Sequence, residues 1–208
     1  MPVLEWDVPF LEPSEFRRVA DAFLDRYHAS RTIPVPIEEI VEFQMGLDVV
    51  PTPGLHETYD IDGYLSHDLT SIYVDLSFFE KRPARYRFTL AHEVAHLLLH
   101  RDFFESATFR TVSEWKDFAR SFPEPAYAKF EDQAYRVGGL ILIPHEHLAQ
   151  EAARCIDVVR GEGIDLHEHW DFAWTRIAAH LAPLFDVSEG AVRKALEREG
   201  IQDTYRRS

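Results

Sequence analysis

Apolar residues recur every three to four positions from Ser14 to Ser30, at Phe16, Val19, Ala20, Phe23, Leu24 and Tyr27, which predicts an amphipathic helix with Ser14 as its N-cap. Prolines then bracket a short helix at Ile37 to Gln44, Gly46 stops it, and Leu47 to Val50 reads as a strand. Between Asp60 and Ser77 short β-branched or aromatic runs alternate with polar turns, the pattern of a hairpin pairing Gly63 to Ser66 with Ser71 to Asp75. After that the helical period returns. One core helix is predicted from Tyr86 to about His100, a polar, irregular stretch from Arg101 to Pro125, and a second core helix from Ala126 to about Ile143, stopped by Pro144. In the remainder, Leu181 to Phe185, a short turn, a Ser188 cap and a further helix suggest helix-turn-helix packing. The expectation is an α+β fold, mostly helical with a small antiparallel sheet, and a boundary at Gly161 to Gly163 dividing residues 1–160 from a C-terminal segment, 161–208.

Composition narrows the setting. With 208 residues and 46% hydrophobic content the chain can build one large domain, or one with a small appendage, around a real core. Lys plus Arg total 22 against 36 Asp plus Glu, a formal net charge of −14, which repels phosphate backbones and argues against general nucleic-acid affinity. A single cysteine, Cys155, rules out an intrachain disulfide and reads as a small core residue. "MPVLEWDVPF" lacks the basic region and apolar run of a signal peptide, and the longest apolar stretch, "VGGLILIP", is too short to span a bilayer. A cytoplasmic protein is expected.

Against this background one stretch stands out, "FTLAHEVAHLLLH", Phe88 to His100. His92 to His96 is H-E-x-x-H, and on a helix positions i and i+4 share a face, so both imidazoles can converge on one Zn²⁺. Glu93 lies beside them, placed to take the proton of a water at the metal and return it to a leaving amine. Roughly one chain in twenty of this composition carries the five-residue pattern by chance, so the pattern alone decides little. The surroundings decide more, because titratable groups on consecutive turns of an apolar helix cost several kcal/mol unless paired or metal-bound.

A catalytic zinc needs a third protein ligand and an open position. Asp102 lies six residues past His96, but a ligand there requires a glycine three residues after the second histidine, where Leu99 stands. His100 is two turns from His92, about 12 Å along the axis, and reads as a neighbour or a structural residue. The "HEH" triplets, His145 to His147 and His167 to His169, sit in polar contexts that suit the surface. Glu131 is placed at the start of the second core helix, whose Ala134, Gly138 and Gly139 form a small-residue face for tight helix packing that would bring it toward His92 and His96. A solvated first-turn acid favoured by the helix dipole is the competing account of Glu131.

Three segments, "RFTLAHEVAHLLLH" (Arg87 to His100), "EDQAYRVGGLILIP" (Glu131 to Pro144) and "IDGYLSHDLTSIYVD" (Ile61 to Asp75), resemble the ImmA/IrrE-type metallopeptidases. The second resembles the family pattern E-x-x-A-N-x-F-A-A-x-L-L-M-P in Glu131, Ala134, Leu140 and Pro144, and departs from it with Tyr135 at Asn, Val137 at Phe and Gly138-Gly139 at Ala-Ala. The resemblance implies a zincin-like core, zinc held by His92, His96 and Glu131, Glu93 as general base, and a sheet edge that holds an extended peptide, with Ile72 to Asp75 in that sheet. It further implies an intracellular regulatory endopeptidase whose substrate is a helix-turn-helix repressor or antitoxin. Phe185 to Leu196 resembles the family's helix-turn-helix-like segment, but its neighbourhood carries balanced charge: Asp186, Glu189, Glu197, Glu199 and Asp203 against Arg193, Lys194, Arg198, Arg206 and Arg207, which favours packing over autonomous DNA binding. The alternative from another class is a non-proteolytic regulatory protein, binding a repressor or DNA, with a structural or vestigial metal site. For the group that stabilises an oxyanion, Tyr64, Tyr73, Tyr86 and His100 all remain open.

Overall fold

A computed structural model describes residues 8–163 and 168–206. The elements run α1 (Pro13–Tyr27), α2 (Ile37–Glu39) continuing into a π-helical turn (Ile40–Gln44), β1 (Asp48–Thr52), α3 (Leu55–Tyr59), β2 (Gly63–Leu65), β3 (Ser71–Asp75), α4 (Leu76–Lys81), α5 (Pro83–Leu99), α6 (Arg101–Ser106), α7 (Val112–Ser121), α8 (Glu124–Leu142), α9 (His145–Gly161), α10 (Trp170–Phe185), α11 (Glu189–Arg198) and α12 (Ile201–Arg206). The described residues are mostly helical with one three-stranded sheet, as the α+β expectation requires. No described helix is long and apolar enough to cross a membrane.

The predicted hairpin forms: β2 pairs antiparallel with β3, with Tyr64 opposite Tyr73. The sheet as a whole is mixed rather than antiparallel, because β1 joins the other side of β3 in parallel, Asp48 beside Ser71 and Thr52 beside Asp75. A crossover through α3 separates β1 from the hairpin, and Pro51, which lacks an N–H, is tolerable on such an outer strand. Ile72 to Asp75 therefore lies in the centre of the sheet, paired on both sides, and a peptide can add only beside an outer strand.

Burial explains the layering. α5 is apolar almost all round and is covered on one side by β2 and β3 and on the other by α8. Gly138 permits the close approach: a Cβ there would lie 3.0 Å from the Ala91 carbonyl and the His92 nitrogen, whereas one at Gly139 would meet nothing within 4 Å. The small-residue face is thus Ala134 and Gly138, without Gly139. α1 packs on the far side of α8. Its N-terminus is capped by a reciprocal pair between Glu12 and Glu15 instead of by Ser14.

Two further expectations are corrected. Arg101 to Pro125 is not irregular: it holds α6 and α7, and Thr111 caps α7 by accepting from the Glu114 N–H at 3.3 Å. α8 begins at Glu124 with a proline in its first turn, so Glu131 sits about two turns inside the helix, out of reach of the dipole argument for a first-turn acid. In the C-terminal part, α10 and α11 pack together, and Ser188 caps α11 by accepting from the Ala191 N–H at 3.2 Å.

Candidate metal centre

α5 projects His92 and His96 from successive turns toward α8, which presents Glu131 on the same face as Ala134 and Gly138. The three side chains offer donor atoms that all lie within 4.8 Å of one another. Glu131 Oε2 is 3.2 Å from His92 Nε2, Glu131 Oε1 is 3.8 Å from His96 Nε2, and the two imidazole Nε2 atoms are 3.1 Å apart. In a tetrahedral zinc site with bonds of about 2.0–2.1 Å, neighbouring ligand atoms are separated by about 3.3 Å. Two imidazole nitrogens and a carboxylate oxygen at these separations fit that ion.

Other histidines and acids take different places. Asp102 is exposed on α6. His145 Nδ1 lies 2.8 Å from Glu199, and His147 Nε2 meets the Arg31 carbonyl at 2.6 Å, so the first "HEH" triplet links α9 to its neighbours. Of the second triplet, His167 lies outside the described residues, and His169 sits at the start of α10.

A family model for the IrrE N-terminal-like domain of peptidase M78 matches residues 44–197, a range that contains all three side chains. The chain belongs to the peptidase M78 family. That is a metallopeptidase family, so its catalytic class agrees with the chemistry of the donor set. No curated protein gives a significant match.

In this M78 chain Glu93 is buried, 5% exposed, beneath the triad. Burial pushes its carboxyl up to about 7; the His92 charge and the Leu65 N–H pull against this, and the negative fields of Glu131 and Asp62 add to it. Burial alone would push His92 down, yet the carboxylates of Glu131, Glu93 and Asp62 hold it above its ordinary value. Both effects report the same thing, a negative potential in a desolvated pocket, which is the environment a divalent cation needs.

The site opens into a cavity of about 290 Å³. It is lined by the segment Asp60, Ile61, Asp62 and Gly63 and by an aromatic group, Phe104 of α6, Trp115 and Phe118 of α7, Phe122 just past the end of α7, and Phe130 of α8. Bonds from Asp75 N to the Asp62 carbonyl and from Ser66 N to the Ser71 carbonyl flank the Tyr64–Tyr73 pair. By the antiparallel alternation the backbone groups of Gly63 and Leu65 point away from β3, toward the site. Leu65 spends its N–H on Glu93. Gly63 is fixed as glycine because a Cβ would lie 2.6 Å from the Thr89 methyl and from the Tyr73 carbonyl.

The tyrosines named from the sequence do not reach this cavity. Tyr64 stacks on Tyr73 with centroids 4.7 Å apart, and Tyr86 packs against Phe79. Tyr127 and Tyr135 line it instead. Tyr127 precedes Glu131 by one turn; burial raises its hydroxyl pKa, and Glu131, to which it is hydrogen-bonded, raises it further, so the phenol stays protonated as a donor. The helical spacing Tyr127–Glu131 is visible in the sequence. Tyr135, which stands where the family pattern has Asn, lies under the cations of α11, with Lys194 4.7 Å and Arg198 4.9 Å from its ring.

Proposed function

We propose that the protein is a zinc-dependent endopeptidase. The observation that carries this is the convergence of His92, His96 and Glu131 at one end of a cleft, with the Glu93 carboxylate beside them. Bound by those three side chains, zinc would supply Lewis acidity, acidifying a water and polarising a peptide carbonyl. Glu93 takes the water's proton on its carboxylate and delivers it to the departing amine. A buried carboxyl with affinity for a proton near neutrality suits both halves of that transfer. Gly63 offers its backbone groups to an extended chain, so a peptide can add to β2 as a further strand within the zincin-like core.

The substrate we propose is a cytoplasmic helix-turn-helix repressor or antitoxin, so that cleavage relieves repression, a regulatory and stress-response role. This rests on the resemblance; the acidic chain, net −14, is compatible with a basic partner. Direct nucleic-acid binding is not part of the proposal. In the helix-turn-helix-like segment, Lys194 and Arg198 are engaged by Tyr135, Arg198 also pairs with Asp132 at 2.9 Å, and Arg206 lies over Trp170, which supports packing over DNA contact.

Glu93→Gln tests the reading. The amide oxygen can still accept from Leu65 N–H, so fold and zinc content should match wild type, while cleavage of a helix-turn-helix repressor or antitoxin substrate should fall by about 10²–10⁴-fold, the usual worth of a general base. Undiminished cleavage by the zinc-loaded variant would remove Glu93 as the base and, with it, this mechanism.

A further inference from the structure

His100 and Gln133 are among the most buried polar residues of the chain, 1% and 3% exposed, in a setting built largely of Phe103, Phe104, Phe122 and Phe130. Polar groups in such a place are costly unless each finds a partner. We infer that Pro9, Gln133 and His100 form a hydrogen-bond relay that fixes His96 in the tautomer whose Nε2 lone pair faces His92 and Glu131, making His100 and Gln133 positioning residues for a metal ion held there. The inference rests on the metal-centre reading of the triad.

Each link has one chemically allowed direction. The Pro9 carbonyl can only accept, and Gln133 Nε2 donates to it at 2.5 Å. That turns the Gln133 amide oxygen toward His100 Nε2, 3.0 Å away. An amide oxygen also only accepts, so His100 carries its proton on Nε2. A neutral imidazole holds one such proton, which leaves His100 Nδ1 as an acceptor. The atom 2.9 Å from it, His96 Nδ1, must then be the N–H. His96 is left with a bare Nε2, 3.1 Å from His92 Nε2 and 3.8 Å from Glu131 Oε1. Flipping the Gln133 amide would set its oxygen against the Pro9 carbonyl, two acceptors in contact.

Both rings sit where a charge would be costly: His100 is 1% exposed and stacks on Phe130 with centroids 4.1 Å apart, and His96 is 3% exposed, so each is held as a neutral imidazole with a single N–H. Ligating histidines commonly donate their second N–H to a fixed acceptor, and losing that acceptor weakens metal binding by roughly 10–100-fold. Here the acceptor is an imidazole that has itself been fixed by an amide on the neighbouring helix, α8.

Two variants and one spectrum test this. His100→Phe keeps the ring stack on Phe130 but removes the acceptor for His96 Nδ1–H; Gln133→Met keeps side-chain length but frees His100 to exchange tautomers. Zinc dissociation constants from chelator competition should rise by roughly 10–100-fold in both relative to wild type. Nitrogen-15 spectra of the histidine rings in metal-free wild-type protein should show His96 protonated on Nδ1, and in Gln133→Met a mixture of tautomers. Folded variants that bind zinc as tightly as wild type, or a wild-type His96 protonated on Nε2, would overturn the relay. Should His100→Phe fail to fold, Gln133→Met and the wild-type spectrum decide. A wild-type protein that takes up no zinc while showing the Nδ1–H tautomer would instead overturn the metal-centre reading, which separates the two failures.

Discussion

Asp75 closes β3 and opens α4, and it is 2% exposed. Its carboxylate accepts from the His56 and Ser77 backbone N–H groups, each at 2.9 Å, and from the Ser77 hydroxyl at 2.5 Å. Burial pushes its pKa up, but those donors and the His56 charge outweigh it, so the folded pKa lies below the ordinary value. A depressed carboxylate stabilises the fold above the unfolded pKa of about 3.9, and that contribution drains away as pH falls through the folded value. Asp75→Ala should therefore cost about 2–3 kcal/mol at neutral pH, a lost cap plus stranded N–H donors. Urea unfolding at a series of pH values should show the gap to wild type narrowing below about pH 4. A gap unchanged by acid would assign the cost to packing alone.

At the scale of elements, the contact of α5 with α8 brings the candidate ligands His92, His96 and Glu131 together, and two adjacent glycines make it testable. Gly138→Ala drives a Cβ to 3.0 Å from the Ala91 carbonyl and His92 nitrogen, so the helices must part by a few tenths of an ångström, costing about 1–3 kcal/mol and displacing Glu131 from the histidines. Gly139→Ala meets nothing within 4 Å and should stabilise the protein by up to about 1 kcal/mol through helix propensity alone. Thermal unfolding of the metal-free proteins with zinc titration checks both; equal shifts of one sign would refute this account of the contact. The sequence disclosed α5, α8 and the hairpin because each carries a strong period or turn signal within itself. It hid the parallel pairing of β1 with β3, since partner and direction are settled by chain far away. It also hid α6 and α7, short helices whose apolar faces are only a few aromatics, although Thr111 and Glu114 at capping spacing marked the start of α7. Glu131 was legible as a ligand candidate, but its place two turns inside α8 was not, because the first-turn Pro125 reads as a break.

The molecule as a whole is joined across its length by Arg87, five residues before His92 and 5% exposed. Its guanidinium donates to the Val35 carbonyl at 2.6 Å, pairs with Glu38 at 2.6 Å, and reaches the Asp186 carbonyl at 3.1 Å and its carboxylate at 3.3 Å. Asp186 is the left-handed residue, φ 52°, that ends α10 and turns the chain toward α11. One side chain of α5 thus ties the segment before β1 to the C-terminal helices, and it does so within a chain whose acids outnumber its bases. Arg87→Met would keep the buried stem and remove every one of these bonds. The Glu38 and Asp186 side chains are 32% and 53% exposed, so both carboxylates can turn to water and screening discounts the ion pairs; the stranded Val35 and Asp186 carbonyls cannot recover as easily. The cost should come to about 2–3 kcal/mol, below the 3–5 of a fully buried pair. For a chain of this size that lowers the melting temperature by roughly 5–10 °C. Glu38→Gln, which leaves Arg87 its other partners, should lower it by less than half as much. Calorimetry distinguishes the arrangements: a single transition that moves down as a whole fits one cooperative unit fastened at Arg87, whereas a new low-temperature transition in Arg87→Met would mean that the C-terminal helices melt on their own and that Arg87 only docks them.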